Sequence, residues 1–143
     1  MIHKIYWVQL NMPHFMLNRE VLKPEAYTER SCLLVKYRLP LLPYCFVLCH
    51  EASVENLEFS PSHLMEFFML EAERLAFNSV GDSQAFMLIH SGRSIRKRLN
   101  WHLHVFVVQY RWQKAWVYSI LGIKNASLAL YYAIRKILVL LIP

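Results

Sequence analysis

Short apolar runs separated by turn-forming residues fill the first third of the chain and predict β-strands. These runs cover residues 5–10, 33–37 and 44–49, where β-branched, aromatic and other apolar residues predominate. Prolines break the segments between the runs, namely Pro13, Pro24, Pro40 and Pro43. We therefore expect this part of the chain to contribute strands to a sheet.

Helical periodicity replaces this pattern after Ser60-Pro61. Serine is a good helix cap and proline is favoured at the first helical position, so a helix is expected to begin there. The apolar residues at helical spacing are Leu64, Phe67, Phe68, Ala72 and Leu75. Charged residues fall largely on the other side, and we expect Glu66, Glu71 and Glu73 to face solvent without a catalytic role.

A β-hairpin and a second helix follow. Gly81-Asp82 marks a turn, and residues 85–89 have the composition of a strand. A basic connection then opens at Gly92 and leads into the longest β-type run, residues 101–110. Periodic apolar residues predict a further helix over residues 127–139.

The composition fits one domain with an anionic partner. A chain of 143 residues has the usual size of one domain, so we predict a single α+β domain over residues 1–143. Hydrophobic residues make up 56% of the chain and charged residues only 18%, which favours burial of apolar surface in a homo-oligomer. The net charge of +6 fits phosphate esters, nucleic acid or anionic lipid about equally well.

Cysteine usage and the chain ends indicate a cytoplasmic protein. Cys32, Cys45 and Cys49 form no Cys-x-x-Cys pair, and we expect them to be buried, reduced thiols. The N-terminal sequence lacks the basic region and apolar run of a signal peptide. Polar residues interrupt the apolar C-terminal third too often for a membrane-spanning helix, namely Lys124, Asn125, Arg135 and Lys136.

The segment Asn100-Trp-His-Leu-His-Val-Phe106 carries the candidate chemistry. Alternate side chains of a strand share a face, so Asn100, His102 and His104 are expected to point one way and the apolar residues between them to the core. Near neutral pH one imidazole can be a nucleophile or base while its neighbour donates a proton, and this pair suits phosphoryl chemistry. A partly exposed polar patch without a catalytic role is the alternative.

The connection before this strand offers groups that bind anions. Phosphoryl transfer needs cations or backbone N–H groups beside the phosphate oxygens. The candidate phosphate-binding residues are Gly92, Arg93, Ser94, Arg96 and Lys97. A solvated basic turn is an equally good interpretation of these residues. No metal or other cofactor is predicted, because imidazole nucleophiles and cationic side chains together suffice for this chemistry.

The order of these motifs resembles the histidine triad (HIT) superfamily. The resemblance is strongest over residues 44–108, and its motifs are Tyr44-Cys-Phe-Val-Leu-Cys49, the helix from Ser62, Phe86-Met-Leu-Ile-His90-Ser-Gly92 and His102-Leu-His-Val-Phe106. It implies a HIT-like antiparallel sheet with packed helices, commonly dimeric, that binds nucleotides. It also implies nucleotide hydrolase or transferase activity through a nucleotidyl-histidine intermediate, in which the central histidine is the nucleophile.

Only two of the three triad histidines are present, so two registers are open. In the first register, Asn100, His102 and His104 occupy the triad places, and His102 is the nucleophile. In the second, His102, His104 and Phe106 occupy them, and His104 is the nucleophile. We favour the first register, because asparagine forms hydrogen bonds and phenylalanine does not.

Three functions follow from these observations. The first is a HIT-like nucleoside-phosphate hydrolase or nucleotidyl transferase, with His104 and Asn100 positioning the phosphate. The second is an inactive nucleotide-binding or interaction module. It is favoured by Arg96-Lys-Arg-Leu99, which replaces the family's Gly-Gln-Ser segment, and by His90, where an Asn often lies. The third is a protein that binds nucleic acid or a membrane surface through the basic loop and the C-terminal helix.

Overall fold

The computed structural model describes residues 16–53, 61–90 and 100–141. The chain divides into two compact units, Met1–Val107 and Val108–Pro143, and each is described by itself. The strand predicted over residues 5–10 and the cap predicted at Ser60 lie outside the described residues. The single domain over residues 1–143 stays a prediction.

In the described residues of the first unit, five strands form an antiparallel sheet. Its strands are β1 (Leu17–Leu22), β2 (Cys32–Leu39), β3 (Leu42–Ser53), β4 (Phe86–Ile89) and β5 (Asn100–Val107), in the spatial order β1-β2-β3-β5-β4. Each of these pairings is antiparallel. The described part of this unit also contains two helices, α1 (Glu25–Thr28) and α2 (Pro61–Val80). The predicted α+β class is therefore confirmed.

The strands predicted over residues 33–37, 44–49 and 85–89 are confirmed as β2, β3 and β4. Pro43 was expected to separate segments, but it lies inside β3. The strand tolerates a proline there because β3 begins to pair with β5 only at Cys45, so the missing N–H falls outside that ladder. The predicted pairing of β4 with the histidine strand is also confirmed.

The edge strand β1 was missed from the sequence. Most of its side chains are exposed, so its residues show no apolar face. The register against β2 shifts between Leu17 and Glu20, and Asn18 has a φ of 50°. An irregularity of this kind breaks the alternation from which a strand is predicted.

The core of the first unit lies between α2 and one face of the sheet. Its members on α2 are Leu64, Phe68, Ala72, Leu75 and Ala76, and those on the sheet include Leu34, Phe46, Leu48, Leu103 and Val105. The predicted apolar face of α2 is thus confirmed. The helix ends at the predicted turn, where Gly81 has a φ of 78° and its N–H donates to the carbonyl of Phe77. Glycine adopts this left-handed conformation without strain.

The second unit contains one long helix, α3 (Arg111–Leu141). The predicted helix over residues 127–139 lies within it, but α3 begins 16 residues earlier than predicted, and the preceding strand ends at Val107 rather than at Tyr110. The Gln113 side-chain oxygen accepts hydrogen bonds from the N–H groups of Gln109 and Tyr110, at 2.7 and 3.1 Å, and so helps to fix the start of the helix. Among the described residues, no helix has the length and apolar character needed to cross a membrane.

A hydrogen-bonded cluster ties α1 to α2. The hydroxyl of Tyr27, which is completely buried, donates to Glu71 at 2.7 Å, and Arg74 contacts both oxygens of the same carboxylate. The expectation that Glu71 faces solvent is therefore wrong. Burial acts to raise the pKa of Glu71, but the hydrogen bonds from Arg74 and Tyr27 outweigh it and lower the pKa below the usual range.

Replacing Tyr27 by phenylalanine removes the hydroxyl that holds Glu71. We expect Tyr27→Phe to lower the free energy of unfolding by about 1.5–3 kcal/mol at neutral pH, the usual worth of a hydrogen bond to a charged group. Because the folded-state pKa of Glu71 is depressed, its contribution is present above the unfolded-state pKa of about 4.3 and is lost as the pH falls through the lower, folded-state pKa. Urea unfolding of both proteins across the acid range measures this difference.

The matched control is Tyr118→Phe, which removes the same atom from an exposed tyrosine. It is expected to leave the free energy of unfolding nearly unchanged at every pH. A difference between wild type and Tyr27→Phe that grows as the pH falls would contradict the assigned role of the carboxylate.

Candidate functional site

Strand β5 separates the core from the candidate chemistry. Leu103, Val105 and Val107 belong to the core beneath α2, and Trp101 packs against that core. The strand alternation therefore places Asn100, His102, His104 and Phe106 on the opposite face of the sheet. The predicted division of β5 into an apolar face and a histidine-bearing face is confirmed.

His102 and His104 lie side by side on that face. Their ring centroids are 5.4 Å apart, and the ring planes are inclined at 83°. Both side chains are half-buried, so each imidazole is accessible to solvent in part while the strand holds it in place. Two titratable rings at this separation could contact neighbouring atoms of one small ligand.

A backbone contact selects the tautomer of the neutral His102 ring. Its Nδ1 lies 3.0 Å from the carbonyl oxygen of Asn100. A carbonyl oxygen only accepts hydrogen bonds, so Nδ1 carries the proton in the neutral ring and Nε2 carries the lone pair. Nε2 is thus the nitrogen of His102 that could act as a nucleophile or base.

Within the sheet, both histidines are paired with apolar residues of the neighbouring strands. In the strand register, Cys49 of β3 is opposite His102, and Val47 of β3 and Ile89 of β4 are opposite His104. Opposite residues in antiparallel strands point to the same face. Cys49 and Val47 are both buried, so the histidines have apolar neighbours in β3 that are shielded from water.

Asn100 fastens the beginning of β5 to β3. Its amide nitrogen donates to the carbonyl of Glu51 at 2.6 Å and also lies 3.3 Å from the carbonyl of His50. The β3–β5 register shifts between Cys49 and Ser53, and the Asn100 amide bonds to carbonyls of this irregular stretch. Asn100 therefore has a structural contact that the sequence did not predict, whereas its predicted contact with phosphate stays a prediction.

His90 contacts β5 from the end of β4. Its Nδ1 lies 3.0 Å from the carbonyl oxygen of His102, and its ring centroid is 4.7 Å from that of Trp101. Since the carbonyl accepts, Nδ1 of His90 is the donor. His90 thus holds the backbone of the very residue that carries the candidate nucleophile. One sign of this role is visible in the sequence, where His90 lies two positions before Gly92.

The basic connection lies outside the described residues. Its candidate phosphate-binding residues Gly92, Arg93, Ser94, Arg96 and Lys97 therefore stay predictions. Within the three described stretches, no group of three or more His, Cys, Asp or Glu side chains is arranged to hold a metal ion.

The cysteines are buried thiols, as predicted. Cys32, Cys45 and Cys49 all lie in described strands, and none of them forms a disulfide. Burial raises the pKa of both Cys32 and Cys45 to about 12, and for Cys32 the neighbouring Cys49 adds to the effect. At neutral pH these two side chains are protonated, so they are poor nucleophiles.

Comparisons of this chain with protein-family models, with curated proteins and with solved structures found no match. The resemblance to the HIT superfamily therefore rests on the motifs of the sequence.

Proposed function

We propose that the chain is a HIT-like, dimeric cytoplasmic protein that cleaves or transfers a nucleoside phosphate, with His102 as the nucleophile. The observation that carries the proposal is the contact between Nδ1 of His102 and the carbonyl of Asn100, because it leaves the lone pair on Nε2. An imidazole nitrogen that carries a lone pair is a competent nucleophile toward phosphorus.

The reaction takes place in two displacements. Nε2 of His102 attacks the phosphorus, the bond from phosphorus to the leaving group breaks, and the leaving group takes a proton from the His104 imidazolium. Water then attacks the phosphorus, the bond from phosphorus to Nε2 breaks, and the lone pair returns to His102, while His104 regains a proton from that water. When another hydroxyl compound replaces water, the same steps give nucleotidyl transfer.

The geometry favours the register with Asn100 in the first triad place. In the other register, Phe106 would have to contact the phosphate, but its side chain is buried and has no hydrogen-bonding group. The Phe106 ring is nearly parallel to that of His104, at a centroid distance of 6.3 Å and an angle of 10°. We therefore assign Phe106 to packing beside His104 and the nucleophile to His102.

Anion contacts complete the proposed site. Binding a phosphate requires donors beyond the two imidazoles, and the connection between β4 and β5 supplies the candidates, Gly92, Arg93, Ser94, Arg96 and Lys97. Because β4 and β5 are adjacent antiparallel strands, this connection joins the histidine strand at its N-terminal end, close in sequence to Asn100 and His102.

A covalent-adduct experiment tests the proposal. The purified protein is mixed with adenosine and guanosine phosphoramidates and with dinucleoside polyphosphates, and intact mass is recorded together with released mononucleotide. We expect a nucleotidyl adduct in wild type, its loss in His102→Ala and its retention in His104→Ala. An adduct that is kept in His102→Ala and lost in His104→Ala would move the nucleophile to His104.

A second candidate function is a nucleotide-binding module without catalysis. It is favoured by the Asn100 amide, which donates to the backbone of β3 in the place where the family has a histidine. This candidate predicts saturable binding of the same nucleotides by calorimetry, with neither adduct nor released mononucleotide. Absence of nucleotide binding as well would reject both candidates.

A further inference from the structure

The last 61 residues of the chain have basic but no acidic side chains. From Ser83 to Pro143 the sequence contains no Asp or Glu. The cationic residues of α3 are Arg111, Lys114, Lys124, Arg135 and Lys136. Four of these side chains are exposed and that of Lys124 is half-buried, so the helix presents a positive field to its surroundings.

An exposed apolar stripe runs along α3. Its members are Trp112, Ile123, Leu130, Ile134 and Ile137, and between 48% and 62% of the surface of each residue is exposed. Successive members are eleven, seven, four and three positions apart. At about 100° per residue, they fall in a sector about 60° wide, and the five cations all lie outside it. The helix thus has an apolar stripe on one side, and its cations lie elsewhere on the circumference together with the exposed tyrosines Tyr118, Tyr131 and Tyr132.

We propose that α3 docks on an anionic lipid surface, with the apolar stripe buried among the acyl chains and the cations at the headgroups. A helix that combines an exposed apolar face with lysine and arginine lies in the plane of the membrane interface rather than across the bilayer. Trp112 suits this position, because an indole has an apolar body and one polar N–H. The long stems of lysine and arginine let their charges reach the headgroups from beside the stripe.

Charge decides between a lipid surface and a second copy of α3. Pairing two stripes would bring two sets of five cations together, and neither helix has an acidic residue to offset them. A nucleic acid would satisfy the cations but leave the apolar stripe in water, because phosphate contacts dominate that type of binding. An anionic membrane interface offers anionic headgroups to the cations and removes the apolar stripe from water. This inference does not depend on the histidine chemistry of β5.

Vesicle sedimentation with the full chain tests the inference. The probes are phosphatidylcholine vesicles with and without phosphatidylglycerol. We expect binding to the anionic vesicles only, and weaker binding as the salt concentration rises. The double variant Leu130→Glu with Ile134→Glu adds two acids to the stripe. Its matched control, Tyr131→Glu with Tyr132→Glu, adds two acids to exposed positions of the same helix outside the stripe.

The comparison between the two variants separates burial from charge. Both variants lose the same electrostatic attraction, but only the first also loses two apolar side chains that docking would bury in the membrane. It should therefore bind anionic vesicles at least about tenfold more weakly than the control. Circular dichroism verifies that both keep their helix content.

Several results would overturn the inference. These are equal binding by the two variants, equal binding to neutral vesicles, or no binding by wild type. An oligomer that forms without lipid and dissociates only in the stripe variant would assign the stripe to a second copy. Duplex DNA or RNA bound equally by both variants, with no vesicle binding, would assign α3 to nucleic acid.

Discussion

Replacement of His102 by alanine is expected to lower turnover of a nucleoside phosphoramidate by about 10³-fold or more while the protein stays folded. The estimate follows from the proposed role, because loss of a covalent nucleophile removes the pathway through the intermediate rather than weakening one contact. Free imidazole should restore part of the activity, since it can enter the space left by the ring and attack phosphorus directly. Steady-state kinetics with and without imidazole measure both effects.

The control for this substitution is His63→Ala, which removes an exposed histidine from α2. It should leave turnover unchanged and should not respond to imidazole. His102→Ala that keeps turnover within tenfold of wild type would reject His102 as the nucleophile. Rescue by imidazole in His104→Ala alone would instead favour the second register.

The sequence predicted the elements whose residues show a regular pattern. Most of β2 and β3 is apolar because core-side residues such as Leu34, Phe46 and Leu48 are buried, and so are residues on the other face such as Val35 and Val47. The apolar face of α2 repeats at helical spacing because it packs on the sheet along its length. For such segments, burial and periodicity carry the same information.

In the elements that were not predicted from the sequence, burial and residue pattern do not correspond. β1 is an edge strand with mostly exposed side chains, and α3 exposes apolar residues on a side where a helix in water normally has polar ones. The helix start at Arg111 depends on the backbone contacts of Gln113, which no apolar pattern reveals. The length of α3 was underestimated for this reason.

The placement of His102 beside His104 was predictable from the sequence, but the hydrogen bonds around them were not. Strand alternation is enough to place His102 and His104 on one face, whereas the tautomer of His102 depends on a carbonyl two residues earlier. The contacts of Asn100 and His90 depend on the register of β5 against β3 and on the end of β4. Register is a property of paired strands, so one strand's sequence does not contain it.

The same sheet geometry connects the core to the histidines. Phe68 is completely buried on α2, in the core that also contains Leu103 and Val105, the neighbours of His102 and His104 along β5. We expect Phe68→Ala to lower the free energy of unfolding by about 3–5 kcal/mol, because it removes a buried ring and leaves a cavity. Phe77→Ala, at an exposed position of the same helix, should change it by only about 0.5 kcal/mol.

Urea unfolding followed by circular dichroism measures both changes in the free energy of unfolding. Each is obtained from the shift in the urea midpoint, provided that the dependence of the free energy on urea concentration is unchanged. Because the cavity lies beneath β5, Phe68→Ala should also reduce nucleotide turnover under conditions where the protein is still folded, while Phe77→Ala should not. Equal destabilisation by the two substitutions would contradict the packing of α2 on the sheet. A destabilised Phe68→Ala variant with wild-type turnover in its folded state would show that the histidine positions do not depend on the core beneath them.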